Sequence, residues 1–156
     1  MKSKDRSREP SHLDQHGRLQ MVDVGHKEAV RRRATARGDF VAAPSTLDRL
    51  VAGEVPKGDT LAAARLAGIA AAKRTDELIP LCHSLPIDHV SVDFDRVAAD
   101  RLRVRASASI VARTGVEMEA LVAVTVACLT LYDMAKAIDS ELRIEGVLLE
   151  EKVKDA

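Results

Sequence analysis

The sequence predicts an α+β domain in which an antiparallel sheet carries helices on one face. Three observations lead there. Strand-like and helix-like segments alternate along the chain instead of clustering. Residues 89–97 and 102–111 each alternate polar and apolar and are separated only by Ala98-Ala99-Asp100-Arg101, the pattern of a hairpin. Residues 115–138 hold an apolar run, from Ala120 to Leu131, broken only by Thr125 and Thr130, and its length favours a helix over a strand.

Taken in order, residues 1–20 are charged and have little to bury, so a disordered tail is expected, followed by a single domain over residues 21–156. Residues 29–43 alternate imperfectly and read as a strand. Pro44 opens a short helix with Ser45 as candidate cap and Leu47, Leu50 and Val51 on one face. Residues 53–58 read as a turn. Asp59 caps a second helix from Thr60 to about Arg74, whose alanines combine high propensity with room for close neighbours. Residues 78–87 are apolar but contain Pro80 and Pro86, which exclude a regular helix or a central strand, so a buried rigid loop is expected. The hairpin and the long helix follow, and residues 141–149 give a last strand. This order is the ferredoxin-like βαββαβ plan. Its sheet leaves one face without helices, and a helix apolar all round is buried on every side. Together these predict an oligomer.

Composition excludes several classes. The 156 residues carry zero net charge and 2% aromatics, which removes the basic footprint of a duplex binder and the stacking platforms of a single-strand binder. Cys82 and Cys128 form no CxxC pair, fitting reduced thiols in a cytoplasmic protein. Asp133 and Lys136 fall within the long apolar helix, which speaks against a membrane span.

The charged positions carry the chemistry. Lys57 precedes a helix start, where a cation is favourable only if an anion lies between it and the helix; a solvated turn lysine is the plain alternative. Cys82-His83 falls in the proline-bounded loop and reads as core, as a substrate contact or, with His89, as a metal site short of ligands. Thr114-Gly115-Val116-Glu117 matches a capping box, whereas Glu119 has no such structural role. Asp133 and Lys136 are helix-surface neighbours, either an ion pair at a helix exit or a lysine tuned by its acid. Glu119 and Asp133 stand roughly 21 Å apart along a helix rising ~1.5 Å per residue. If both serve one pocket, a second subunit must complete it.

These residues, with Lys57-Gly58-Asp59, Ala71-Ala72-Lys73-Arg74-Thr75, Leu78-Ile79-Pro80-Leu81-Cys82-His83, Gly115-Val116-Glu117-Met118-Glu119 and Tyr132-Asp133-Met134, resemble the cyclic pyranopterin monophosphate synthase family (MoaC) of molybdenum-cofactor biosynthesis. The likeness runs from about Met21 to Leu149. It implies a homohexamer, a trimer of dimers, with active sites between subunits. It implies conversion of (8S)-3′,8-cyclo-7,8-dihydroguanosine 5′-triphosphate to cyclic pyranopterin monophosphate and pyrophosphate. By position, Asp133, Lys57 and Lys136 would be catalytic. Leu81, Cys82, His83, Met118, Glu119, Glu117 and Lys73 would line the substrate, and Arg31, first of the triple Arg31-Arg32-Arg33, would meet the triphosphate. No metal ligand or cofactor is implied, Mg²⁺ entering at most with the triphosphate, and neither nucleic acid nor membrane is an expected partner. Ser84 stands where the family commonly has proline, and the family's glycine-rich C-terminal tail is missing. Two rivals remain at this stage: a catalytically weak nucleotide-binding or assembly relative, and a metal-dependent hydrolase built on Cys82, His83 and His89.

Overall fold

The computed structural model describes residues 12–155. Four strands, β1 (Val30–Val41), β2 (His89–Ala98), β3 (Arg101–Ala112) and β4 (Arg143–Lys154), form one sheet in the order β2-β3-β1-β4 with every pairing antiparallel. Helices α1 (Pro44–Ala52), α2 (Thr60–Ala72), α3 (Thr75–Leu78) and α4 (Glu117–Ala135) complete the βαββαβ plan. Period-two alternation fixes which side of the sheet each residue faces. Ala34, Ala36 and Phe40 of β1 and Leu102, Val104, Ala106, Ala108 and Ile110 of β3 all bury toward the helices. Arginines and serines alternate with them on the opposite, open face.

That open face carries an ion-pair lattice, with Val111 and Leu148 as exposed apolar side chains among the arginines. Asp39, only 5% exposed, receives Arg103 at 2.9 Å and Arg101 at 3.2 Å. The Arg103 hydrogen bond is the main reason its carboxyl stays below the ordinary aspartate range, against the opposing pull of burial.

α2 and α4 lie side by side and run in opposite directions. The small residues of α2 permit this: a Cβ on Gly68 would come 2.8 Å from the Ala123 carbonyl oxygen of α4. Gly38 does the same for β1, where a Cβ would meet the Val124 side chain at 2.9 Å.

Four local expectations are corrected. Ser45 does not cap α1. The helix starts at Pro44 with Ala43 in the cap position, and the Ala43 N–H donates to Asp139 Oδ2 at 2.9 Å, a partner supplied from beyond the end of α4. The Thr114–Glu117 capping box does not form, because Val116 caps α4 without a side-chain bond and Glu117 is already helical. The loop after α3 is not buried in this chain: Leu81, Cys82, His83, Leu85 and Ile87 are half-buried, while Ser84 and Pro86 are exposed. α4 is buried only toward the sheet and α2, leaving Met118, Leu129 and Tyr132 exposed. By length and composition α4 also suits a membrane, but half of its apolar window lies inside the fold, as in a core helix. Asp59 does cap α2 as expected, accepting the Ala62 N–H at 3.0 Å.

Of the segment assigned to the tail, residues 1–11 lie outside the described residues. Leu13 and Leu19 form an antiparallel bridge around a turn in which Asp14 accepts the N–H groups of His16 and Arg18.

Replacing Gly68 with alanine tests the close approach of α2 and α4. In an open helix the change would stabilise by up to ~1 kcal/mol. Here overpacking against a backbone carbonyl is expected to destabilise by about 1–3 kcal/mol. Urea unfolding should show a lower midpoint with an unchanged slope.

Candidate active site

Two groups of functional side chains occupy opposite ends of α4. At its N-terminal end is a pocket of about 240 Å³, lined by the loop residues Leu81, Cys82, His83 and Leu85, by Thr114 and Gly115, and by Glu117, Met118 and Glu119. The polypeptide before β1 closes its remaining side through His12, Val22, Val24 and Lys27. His83 Nε2 lies 2.9 Å from the Val22 carbonyl oxygen. A carbonyl only accepts, so Nε2 carries the proton, and the bond ties the loop to this arm.

The two carboxylates of the pocket have opposite electrostatic surroundings. Glu119 is 4% exposed. Burial raises its pKa, and the negative charges of Glu117 and Asp76 add to the effect. Glu117 is also pushed up by burial, but the Lys152 ammonium of β4, 2.7 Å away, outweighs it with help from Arg32, so its pKa falls below the ordinary value. The proton affinities of the two carboxylates are thus shifted in opposite directions, the division of labour that acid–base chemistry requires. The Cys82 thiol is raised by burial and then by Glu119 and Asp76, which fits packing or shape and not a thiolate nucleophile.

Some 21 Å along the helix, at ~1.5 Å per residue, is the second group. Lys57 Nζ lies 2.8 Å from Asp133 Oδ2 and 3.0 Å from the Asp133 carbonyl oxygen, and Lys136 Nζ lies 2.8 Å from Asp133 Oδ1. Hydrogen bonds from Lys136 and Lys57, followed by their charges, lower the Asp133 pKa to about 2. The Asp133 hydrogen bond and charge raise that of Lys136. All three side chains are about half exposed, so the cluster contributes little to stability. It displays two cations toward solvent.

The remaining sequence candidates divide. Lys73 caps the C-terminus of α2, at the Glu119 end of the helical layer, without lining the pocket. Arg31 stands apart from the pocket, on the open face of the sheet beside Arg33 and His89. Arg32, its neighbour, faces the helices and donates to the carbonyls of Ala112 and Arg113, pinning the turn that delivers Glu117. The signal for it was in the sequence, since Arg32 shares parity with the inward Ala34 and Ala36. Lys152 and Asp76 had no comparable signal. The same separation removes the basis of a Cys82–His83–His89 metal site, and no group of three His, Cys, Asp or Glu converges for a metal among the described residues.

Lys152→Met leaves the burial of Glu117 and removes the nearest cation, so the Glu117 pKa should rise. In the native protein a lowered pKa means that ionised Glu117 stabilises the fold above the ordinary glutamate range, a contribution lost as pH falls through its folded pKa. The variant should lack most of that contribution at neutral pH, so its stability should fall less than that of the native protein as pH drops through the glutamate range. Carbon-detected NMR titration of the Glu117 carboxyl reads the pKa, and urea unfolding across the same pH range reads the stability.

The whole described domain has close relatives. The MoaC family profile matches residues 21–155. A cyclic pyranopterin monophosphate synthase of Herpetosiphon aurantiacus is 53% identical over 147 residues, covering 94% of this chain and 90% of the relative. One from Roseiflexus is 54% identical over 143 residues, covering 91% and 90%. Cyclic pyranopterin monophosphate synthase 3 of Mycobacterium bovis is 54% identical over 142 residues, covering 91% and 80%. With the fold, the split carboxylates and the Lys57–Asp133–Lys136 cluster in place, the chain belongs to the MoaC family.

Proposed function

We propose that this chain is a cyclic pyranopterin monophosphate synthase, a lyase of molybdenum-cofactor biosynthesis acting in the cytoplasm. Its substrate is (8S)-3′,8-cyclo-7,8-dihydroguanosine 5′-triphosphate. The observation that carries this reading is the pairing, on one helix, of a carboxylate pocket with a lysine–aspartate–lysine cluster, in a chain more than half identical to synthases of that name.

The two groups become one site when a second copy packs against α4. Met118, Leu129 and Tyr132 recur at helical spacing along its uncovered side. An antiparallel pairing of two α4 helices about a twofold near Val126, midway between Glu119 and Asp133, covers that stripe. It sets the acidic end of each copy opposite the basic end of the other, the self-complementary geometry of a C2 interface. Three such dimers make the homohexamer. Covering also withdraws Lys57, Asp133 and Lys136 from water, which strengthens their hold on a phosphate.

In the assembled site the pterin-forming end of the substrate lies against Leu81, Cys82, His83 and Met118. Glu119 transfers protons as the ring opens and recloses, and ionised Glu117 fixes the polarity of the pocket. Lys57, Lys136 and Lys73 meet the triphosphate, with Arg32 the β1 arginine on that side of the sheet. An oxygen of the substrate attacks the α-phosphate, the α–β bridging bond breaks, and pyrophosphate leaves with its charge stabilised by the lysines. Asp133 positions both cations, and Lys136, held charged by it, stabilises the developing phosphate charge. Mg²⁺ enters only as companion of the triphosphate.

Purified protein given the cyclised nucleotide should release one pyrophosphate per cyclic pyranopterin monophosphate formed. Lys57→Met and Asp133→Asn should each lower turnover by about 10²-fold or more while gel filtration finds the assembly unchanged. Equal turnover in the variants would favour a binding or assembly protein over an enzyme.

A further inference from the structure

The open face of the sheet has two halves of different chemistry. In one half each arginine has a carboxylate: Arg37 and Arg105 share Glu150, and Arg101 and Arg103 share Asp39. In the other half that balance fails. Among the described residues Arg31 has no ion-pair partner, and Arg33 has only Glu151 at 3.2 Å, both of them half exposed.

Three serines lie beside these two arginines, together with His89, Val153 and Asp155. The strand register places Arg33, Ser109 and His89 in one row across β1, β3 and β2, and Thr35, Ser107 and Ser91 in the next. Rows on one face stand about 6.6 Å apart and neighbouring strands about 4.8 Å. Arg31, Arg33, His89, Ser91, Ser107 and Ser109 thereby bound a basin of about 480 Å³. Its edge is formed by Val153 and by Asp155, whose backbone N–H donates to the Arg31 carbonyl.

We propose that this basin binds a phosphate-type oxyanion, with the Arg31 and Arg33 guanidiniums and the serine hydroxyls donating to its oxygens. A guanidinium offers a planar fork of donors that matches phosphate geometry. Serine hydroxyls rotate to donate without altering the backbone. The Arg33–Glu151 pair is exposed and weak, so a doubly charged anion draws the guanidinium into the basin. Asp155 and Glu151 mark the limit of the site on the β4 side. The basin lies across the sheet from the Glu117–Glu119 pocket, and its assignment does not rest on the proposed function.

Inorganic phosphate and pyrophosphate share the recognising chemistry, so both are titrated calorimetrically into the full-length protein at fixed ionic strength, with chloride as the control anion. Native protein and Lys57→Met should bind at least one of them saturably, and the tighter ligand reports whether the basin holds one phosphoryl group or two. Arg33→Gln should weaken binding by about tenfold or more. Ser109→Ala, which changes no charge, should weaken it less and supplies the test if Arg33→Gln does not fold. Absence of saturable binding to native protein overturns the proposal. So does binding that is indifferent to both Arg33→Gln and Ser109→Ala, or binding lost in Lys57→Met, which would place the anion in the substrate site.

Discussion

The length of α4 constrains everything else. A helix of this length is rigid, and it holds Glu119 at one end and Asp133 at the other, roughly 21 Å apart at ~1.5 Å per residue. A nucleotide-sized substrate cannot be gripped from both ends of one such helix within one chain. In the proposed dimer each chain therefore contributes two half-sites, and the uncovered apolar stripe between them is the surface that brings complementary halves together. Close packing reinforces the constraint, since Gly38 and Gly68 let β1 and α2 pack directly against α4.

Electrostatics divide labour along the same axis. The N-terminal end buries Glu119, half-buries Glu117 and separates their proton affinities with a single lysine from β4. The C-terminal end leaves its ion cluster half exposed, where it contributes little to folding and remains available to an anion. Desolvation, which makes such groups effective in proton transfer and charge stabilisation, is supplied at one end by the fold and at the other, in the proposed dimer, by a neighbour.

The sequence made much of this legible. The βαββαβ order followed from alternation in the hairpin, from prolines bounding the loop and from an apolar run too long for a strand, because these features depend on local periodicity. What failed depended on distant partners. Ser45 lost its capping role because α1 already starts at Pro44, and Asp139, far along the chain, holds the Ala43 N–H at the cap position. Glu117 lies inside α4 instead of closing a capping box, and its carboxylate is paired with Lys152 from the last strand. Met118, Leu81, Cys82, His83, Glu117 and Glu119 do converge, as resemblance implied, and so do Lys57, Asp133 and Lys136. Arg31 and Arg32 differ only by strand parity, which the inward alanines of β1 encode. The loop at residues 78–87 read as buried because its composition is apolar, and burial within one chain is a narrower condition than burial in an assembly.

The central claim is that one working site takes its acidic half from one copy and its basic half from another. Subunit complementation measures this directly. Glu119→Gln and Asp133→Asn, each inactive alone, are co-expressed or unfolded and refolded together, and pyrophosphate release from the cyclised nucleotide is followed. In a mixed dimer one site carries both substitutions and the other carries neither, so random mixing should restore about one quarter of native activity. A mixture no more active than the two variants measured separately would contradict the shared site and place the whole reaction within a single chain.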